Sequence, residues 1–208
     1  MNNNSEKMVS AVKECLDLNG WRYTFDPEER VIQFDRGIRG QIKRVWYKIK
    51  FQDHDFNVYC TAPVSADDED EEQLRQMMEF VCRANYGMRD GNFELDVNDG
   101  EIRFKTYVNC DGIEPSQEIV EKSIQIPAAM FTRYSKGIIS IIFKDMSAQE
   151  AIDLTEGDIR SFISGLGTGS DEDETSEILS FLRKMRGEME GDLEELEGEN
   201  LDSEETAS

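Results

Sequence analysis

His54 is the only histidine of the chain, and it stands between Asp53 and Asp55. An imidazole beside carboxylates is the beginning of an acid–base relay, but the relay also needs a nucleophile held against the ring. The nearest thiol, Cys60, falls on the following strand with the parity that faces the core, so His54 reads as a solvated turn residue. Cys15, Cys60, Cys82 and Cys110 show no C-x-x-C spacing, and each lies inside an apolar pattern. They read as reduced core thiols, and with a single histidine they make no zinc set. Asp96, Asn98 and Asp99 precede Gly100, but a calcium loop needs three alternating oxygen ligands before its glycine and a bidentate acid after it. Gly165-x-Gly167-x-Gly169 has neither a strand before it nor a lysine after it, so it reads as a linker and not a phosphate loop. No catalytic set, metal site or cofactor motif is therefore expected.

A different chemistry emerges when the strands are resolved by parity, because alternate side chains point to opposite faces of a sheet. Val45, Tyr47, Ile49 and Phe51 point one way, and Arg44, Trp46, Lys48 and Lys50 the other. On a later strand Ile102, Phe104, Thr106 and Val108 share a face, with Arg103, Lys105 and Tyr107 opposite. If helices cover the apolar side, the open side is basic and aromatic. Such a face holds an acidic or aromatic segment of a protein partner through charge and cation–π contacts worth about 0.5–1 kcal/mol each when exposed. It also suits stacking on single-stranded nucleic acid. The plainer alternative is a solvated sheet face whose lysines guard against aggregation.

Charge arbitrates among these. The net charge is −22, with 45 acids against 23 bases. Residues 1–147 hold 26 acids and 19 bases, whereas 148–208 hold 19 acids and 4 bases. That field repels phosphates and anionic lipid, so nucleic acid and membrane are disfavoured as partners and a protein partner is preferred. A polyanion mimic occupying a basic, possibly DNA-binding, partner is the alternative. The opening residues lack the basic and apolar regions of an export signal, and the longest apolar cluster, 137–143, is far short of the roughly 20 residues of a membrane span. A cytoplasmic protein is expected.

The elements that must position these residues follow from periodicity. Met8, Val9, Val12, Cys15 and Leu16 form one stripe of a helix over 5–18, stopped at Asn19-Gly20. Trp21, Tyr23 and Phe25 alternate, Asp26-Pro27-Glu28-Glu29 turns, and Ile32 and Phe34 alternate again. Strands over 42–51 and 55–60 form a second pair, which Pro63 closes. Ser65-Ala66-Asp67-Asp68 opens a helix with Leu74, Met77, Met78, Val81 and Cys82 inward. Asn85 or Gly87 ends it, and strands over 93–97 and 101–110 follow, joined by Asp99-Gly100 as a type I′ turn. Pro115-Ser116 starts a helix bearing Ile119, Val120 and Ile124. Pro127 is expected to break or kink it before a second stretch over 128–146, with Met130, Phe131, Tyr134, Ile138, Ile141 and Ile142 inward. The order predicts an α+β domain over 1–147: a mainly antiparallel sheet with helices on one face.

Beyond it, 148–208 reads as an acidic, largely flexible extension. Thr155 with Asp158 resembles a capping box for a short helix carrying Ile159, Phe162, Ile163 and Leu166. A second amphipathic segment over 171–186 places Ile178, Leu179, Leu182 and Met185 on one stripe, either a docking helix or a marginal helix in a solvated tail. Folding of this tail onto the basic sheet face is a further expectation.

Asn85, Gly91, Phe93, Asp99, Gly100 and Arg103 form the pattern N-x5-G-x-F followed by D-G-x-x-R. With the order of elements around it, this pattern resembles the YbjN family, bacterial proteins described as sensory transduction regulators and related in fold to type III secretion chaperones. The resemblance covers about residues 9–143. It implies a type III secretion chaperone-like fold and a non-enzymatic protein that binds a client or regulatory partner, often as a homodimer. It transfers no catalytic residue.

Overall fold

The computed structural model of the chain describes residues 3–165. It is α+β, with one six-stranded antiparallel sheet and four helices. The chain divides into two units after Thr155, and the sheet lies in the first.

α1 (Asn3–Leu18) buries all five residues of its predicted stripe. It stops where Trp21 N–H reaches back to the Leu16 carbonyl at 2.9 Å, the long bond of a Schellman ending. β1 (Thr24–Asp26) and β2 (Val31–Gly37) make the first hairpin, and β3 (Arg44–Phe51) and β4 (Asp55–Ser65) the second. α2 (Glu71–Asn85) then leads to β5 (Asn92–Leu95) and β6 (Glu101–Asn109). The strand order is β1-β2-β3-β4-β6-β5, so β6 inserts beside β4 and leaves β5 at the edge.

Register puts the apolar residues in rows across the sheet. Phe34, Tyr47, Cys60, Phe104 and Phe93 are cross-strand neighbours in turn, as are Ile32, Ile49, Val58 and Thr106. All nine are buried, under α1 and α3 (Gln117–Lys144). Phe93 meets Phe104, Phe131 and Tyr134 edge-on, tying the edge strand to α3.

Several expectations are corrected here. Pro63 does not close its strand: β4 continues to Ser65, and the pairing with β6 slips between Thr61 and Ser65, where a residue without an N–H is tolerated. α2 starts later than Ser65, because Asp70 is its N-cap and accepts from the amides of Glu72 and Gln73, at 3.1 and 3.0 Å. Its buried side is Met77, Phe80, Val81 and Ala84, while Met78 and Cys82 are exposed, so Cys82 is not a core thiol. On α3, Ile119 is likewise exposed.

Asp99-Gly100 does not form a type I′ turn, which needs left-handed backbone at both residues. Only Gly100 is left-handed, with φ 69°, in a longer loop where its amide donates to the Asp96 carbonyl at 2.8 Å. A second demand acts on the same residue: a Cβ there would lie 1.9 Å from the Ala66 carbonyl oxygen.

Pro127 breaks nothing. α3 runs 28 residues through it, with the proline buried on the sheet side. A proline leaves the carbonyl four residues back without its amide. That carbonyl belongs to Ser123, and the Thr106 hydroxyl of β6 donates to it at 2.8 Å. One residue on, the Tyr47 hydroxyl donates to the Ile124 carbonyl, also at 2.8 Å. The Thr106 hydroxyl thus supplies the donor that Pro127 lacks, and the Tyr47 hydroxyl ties the next carbonyl to the sheet.

α4 (Ala148–Gly165) starts earlier than the short helix expected from Thr155 within an acidic, largely flexible extension. Its capping box is Ser147 with Glu150: the Glu150 carboxylate accepts from the Ser147 amide at 3.1 Å, and the Ser147 hydroxyl accepts from the Glu150 amide at 3.3 Å. Thr155 sits inside the helix, bonded back to the Ala151 carbonyl. Ala148, Ala151 and Ile152 are fully buried, which carries the compact unit past residue 147 to Thr155. The linker beyond Gly165 and the segment bearing Ile178, Leu179, Leu182 and Met185 lie outside the described residues.

Candidate functional site

The face of the sheet away from α1 and α3 carries all seven sheet residues expected to bind a partner. β3 alternates exposed and buried without a break, so Arg44, Trp46, Lys48 and Lys50 all emerge on it. Antiparallel register then orders the face into rows. Asp35, Trp46, Thr61, Arg103 and Glu94 form one; Gln33, Lys48, Tyr59, Lys105 and Asn92 the next; Lys50, Asn57 and Tyr107 the third. Arg103, Lys105 and Tyr107 are thus brought beside the β3 residues, with β4 between them.

The same rows supply carboxylates that parity on two strands does not show. Arg44 pairs with Asp35 at 2.6 Å. Glu94 takes Arg103 at 2.8 Å and Lys105 at 3.2 Å, and Arg103 also approaches Glu101 at 3.7 Å. Partial burial pushes the Glu94 carboxyl up, but hydrogen bonds from Arg103 and Lys105 outweigh this and hold it below the usual range. For Arg103 burial acts downward, and the bond to Glu94 reverses it to a net rise. The Arg103 guanidinium also lies 4.7 Å from the centre of the Tyr59 ring.

The face is therefore not uniformly basic. Its β5 side is neutralised, and among the described residues Lys48 and Lys50 have no carboxylate partner. Trp46 is 48% exposed and Tyr107 57% exposed, with Tyr59 half-buried between their rows. Tyr59, Asp35 and Glu94 are the site residues that sequence reasoning missed. Extending the parity reading to β2, β4 and β5 finds them, but only register shows which charges meet.

The other groups with chemical potential lie apart from this face. His54 Nδ1 lies 3.3 Å from Asp111 Oδ1, both exposed, while Cys60 is buried on the opposite face of the sheet. Burial pushes the Cys60 thiol far up. Burial, then the Glu121 charge, pushes Cys15 up to about 11; burial, then the Asp55 charge, does the same to about 11 at Cys110. Thiols held there carry almost no thiolate at neutral pH. Asp96 and Asp99 spend carboxylate oxygens on the amides of Asn98 and Glu101, at 2.9 and 3.0 Å. Among the described residues no group of three His, Cys, Asp or Glu side chains is placed to hold a metal ion. No described helix is long and apolar enough to cross a membrane.

The motif residues turn out to be fold-makers. Asn85 accepts from the Phe93 amide at 2.7 Å and donates to its carbonyl at 2.9 Å, clamping the end of α2 to β5. Phe93 fills the core, Asp99 and Gly100 shape the loop, and Arg103 anchors Glu94. Compared with protein-family models, with curated proteins and with solved structures, the chain matches none.

Proposed function

We propose that this protein is a non-enzymatic protein-binding module of YbjN type, a chaperone-like or regulatory adaptor of the bacterial cytoplasm, and that its partner lies on the open sheet face. The observation that carries the reading is the exposure of Trp46 and Tyr107 beside Lys48 and Lys50, which have no carboxylate partner among the described residues, on the sheet face away from α1 and α3. Tryptophan and tyrosine in such a setting are the side chains that most often dominate an interface. Lys48 and Lys50 select an acidic or aromatic segment, and the paired Arg103, Lys105 and Glu94 fix a polar rim.

A photo-crosslinking residue at Thr61, next to Trp46 in its row, tests this in cells. It is expected to capture a defined polypeptide, or a second copy of the chain, and the capture is expected to fall at least tenfold in Trp46→Ala and in Lys48→Glu/Lys50→Glu. Capture that survives both variants rejects the face as the site.

A further inference from the structure

We infer that the edge of β6 beyond the end of β5 is a strand-addition site, which takes an extended partner segment alternating apolar and acidic side chains. The inference does not rest on the open-face reading, since it concerns the backbone at the border of the sheet and the flank of α3.

The register opens the edge. β5 covers β6 only from Ile102 to Lys105, whereas β4 pairs with β6 out to Asn109 on the other side. Among the described residues, the stretch from Thr106 to Asn109 therefore has one strand neighbour instead of two. Its free groups can be named. Glu101 turns its carbonyl toward β5, where it accepts from Asp96 N–H at 3.0 Å. With a period of two, the amide and carbonyl of Tyr107 and Asn109 turn the same way, to a place where β5 no longer runs.

The edge is left open by a turn. Gly91, at φ 80°, swings the chain away just before β5, with its Cα so close that a Cβ would sit 2.5 Å from the Lys105 carbonyl oxygen. The other border of the sheet differs, for there Trp21 stacks on Phe34 at 5.9 Å and Arg36 lies over the Trp21 ring at 4.5 Å. Beside β6 there is instead a recess of about 440 Å³. That volume lies within the roughly 300–1,000 Å³ common for ligand sites. Four added residues would run about 13 Å along the edge at about 3.3 Å each.

The walls set the chemistry of the occupant. A strand added here sends alternate side chains toward α3, where Ile119 is 45% exposed and Ile126 half-buried, so these positions are apolar. The opposite side chains lie over Lys105, which shares Glu94 with Arg103, with Arg89 and Asp90 at the rim; Lys122 belongs to the α3 wall and is paired with Glu118 at 2.7 Å. Among the described residues Arg89 has no carboxylate partner. Of the three lining cations Arg89 is thus the one left to meet a carboxylate, and Lys105 holds only a shared one, which selects an acid at the outward positions. Backbone pairing gives such a contact its affinity and the alternating pockets its selectivity.

The test uses the full chain and a fluorescein-labelled, end-capped hexapeptide of alternating glutamate and valine, followed by anisotropy and by amide exchange. Saturable binding with slowed exchange at Tyr107 and Asn109 is expected. Two changes are each expected to weaken it at least tenfold: N-methylation of the peptide amides on one edge, and Ile119→Glu, which alters an exposed residue and leaves the core intact. Lysine in place of glutamate in the peptide is expected to do the same, while Trp46→Ala leaves the affinity unchanged. Absence of binding at millimolar peptide overturns the inference, as does equal binding by the N-methylated peptide or by Ile119→Glu. Protection at Trp46 and Lys48 in place of Tyr107 also overturns it and leaves the open-face proposal standing.

Discussion

Glu94 shows how one side chain can decide the character of a surface. It receives both Arg103 and Lys105, and its carboxyl is held below the usual range. A carboxyl lowered on folding adds stability that is complete above its ordinary pKa and is lost as pH falls through the folded value. Glu94→Gln is therefore expected to cost about 1 kcal/mol at neutral pH and less as acid titrates the wild type below about pH 4. Urea denaturation across that range measures the difference between the two proteins. A difference that stays constant down to the acid end disproves the linkage.

Elements were legible in proportion to how local their causes are. The stripe of α1 and the alternation of β3 are properties of their own residues, and both are found as read. The start of α2 was misplaced because several acids compete for the cap, and only Asp70 has its carboxylate against the two amides. The loop before β6 was read as a hairpin turn correctly but as the wrong type, because the demand on Gly100 comes partly from Ala66, 34 positions earlier. Pro127 is the clearest case, since its tolerance depends on a threonine in another element. Thr106→Val keeps the shape of that residue and removes the hydroxyl, leaving the Ser123 carbonyl buried and unpaired at a cost of about 1–3 kcal/mol. In a Pro127→Ala background the helix regains its own amide, and the same Thr106→Val change is expected to cost at least about 1 kcal/mol less. A double-mutant cycle in urea reads this coupling directly; simple additivity contradicts the account.

For the whole molecule, the border of the compact unit depends on contacts that composition does not reveal. The acidic shift begins near residue 148, yet Ala148, Ala151 and Ile152 are fully buried, and the Ala148 amide donates to Gln76 Oε1 of α2 at 2.7 Å. A chain ended after residue 147 is expected to be less stable than one ended after Thr155 by about 3 kcal/mol or more, mostly from the exposed Ile152 site and its neighbours. Denaturant midpoints of the two truncations give the figure, and equal midpoints place the border back at 147. The candidate site divides in the same way. Trp46 and its lysines were legible from one strand, whereas their neutral surroundings required the order in which six strands meet.

The hydroxyl of Thr106 couples two elements of the fold. A proline-bearing helix that borrows a donor from a sheet has that carbonyl satisfied only where the sheet lies against it. The turns of α3 up to Ile126 are too short to hold as an isolated helix, and they meet the long stretch after Pro127 at the carbonyls that β6 and β3 bond. Pro127 thus makes the longest described helix and the central sheet depend on each other for a satisfied backbone.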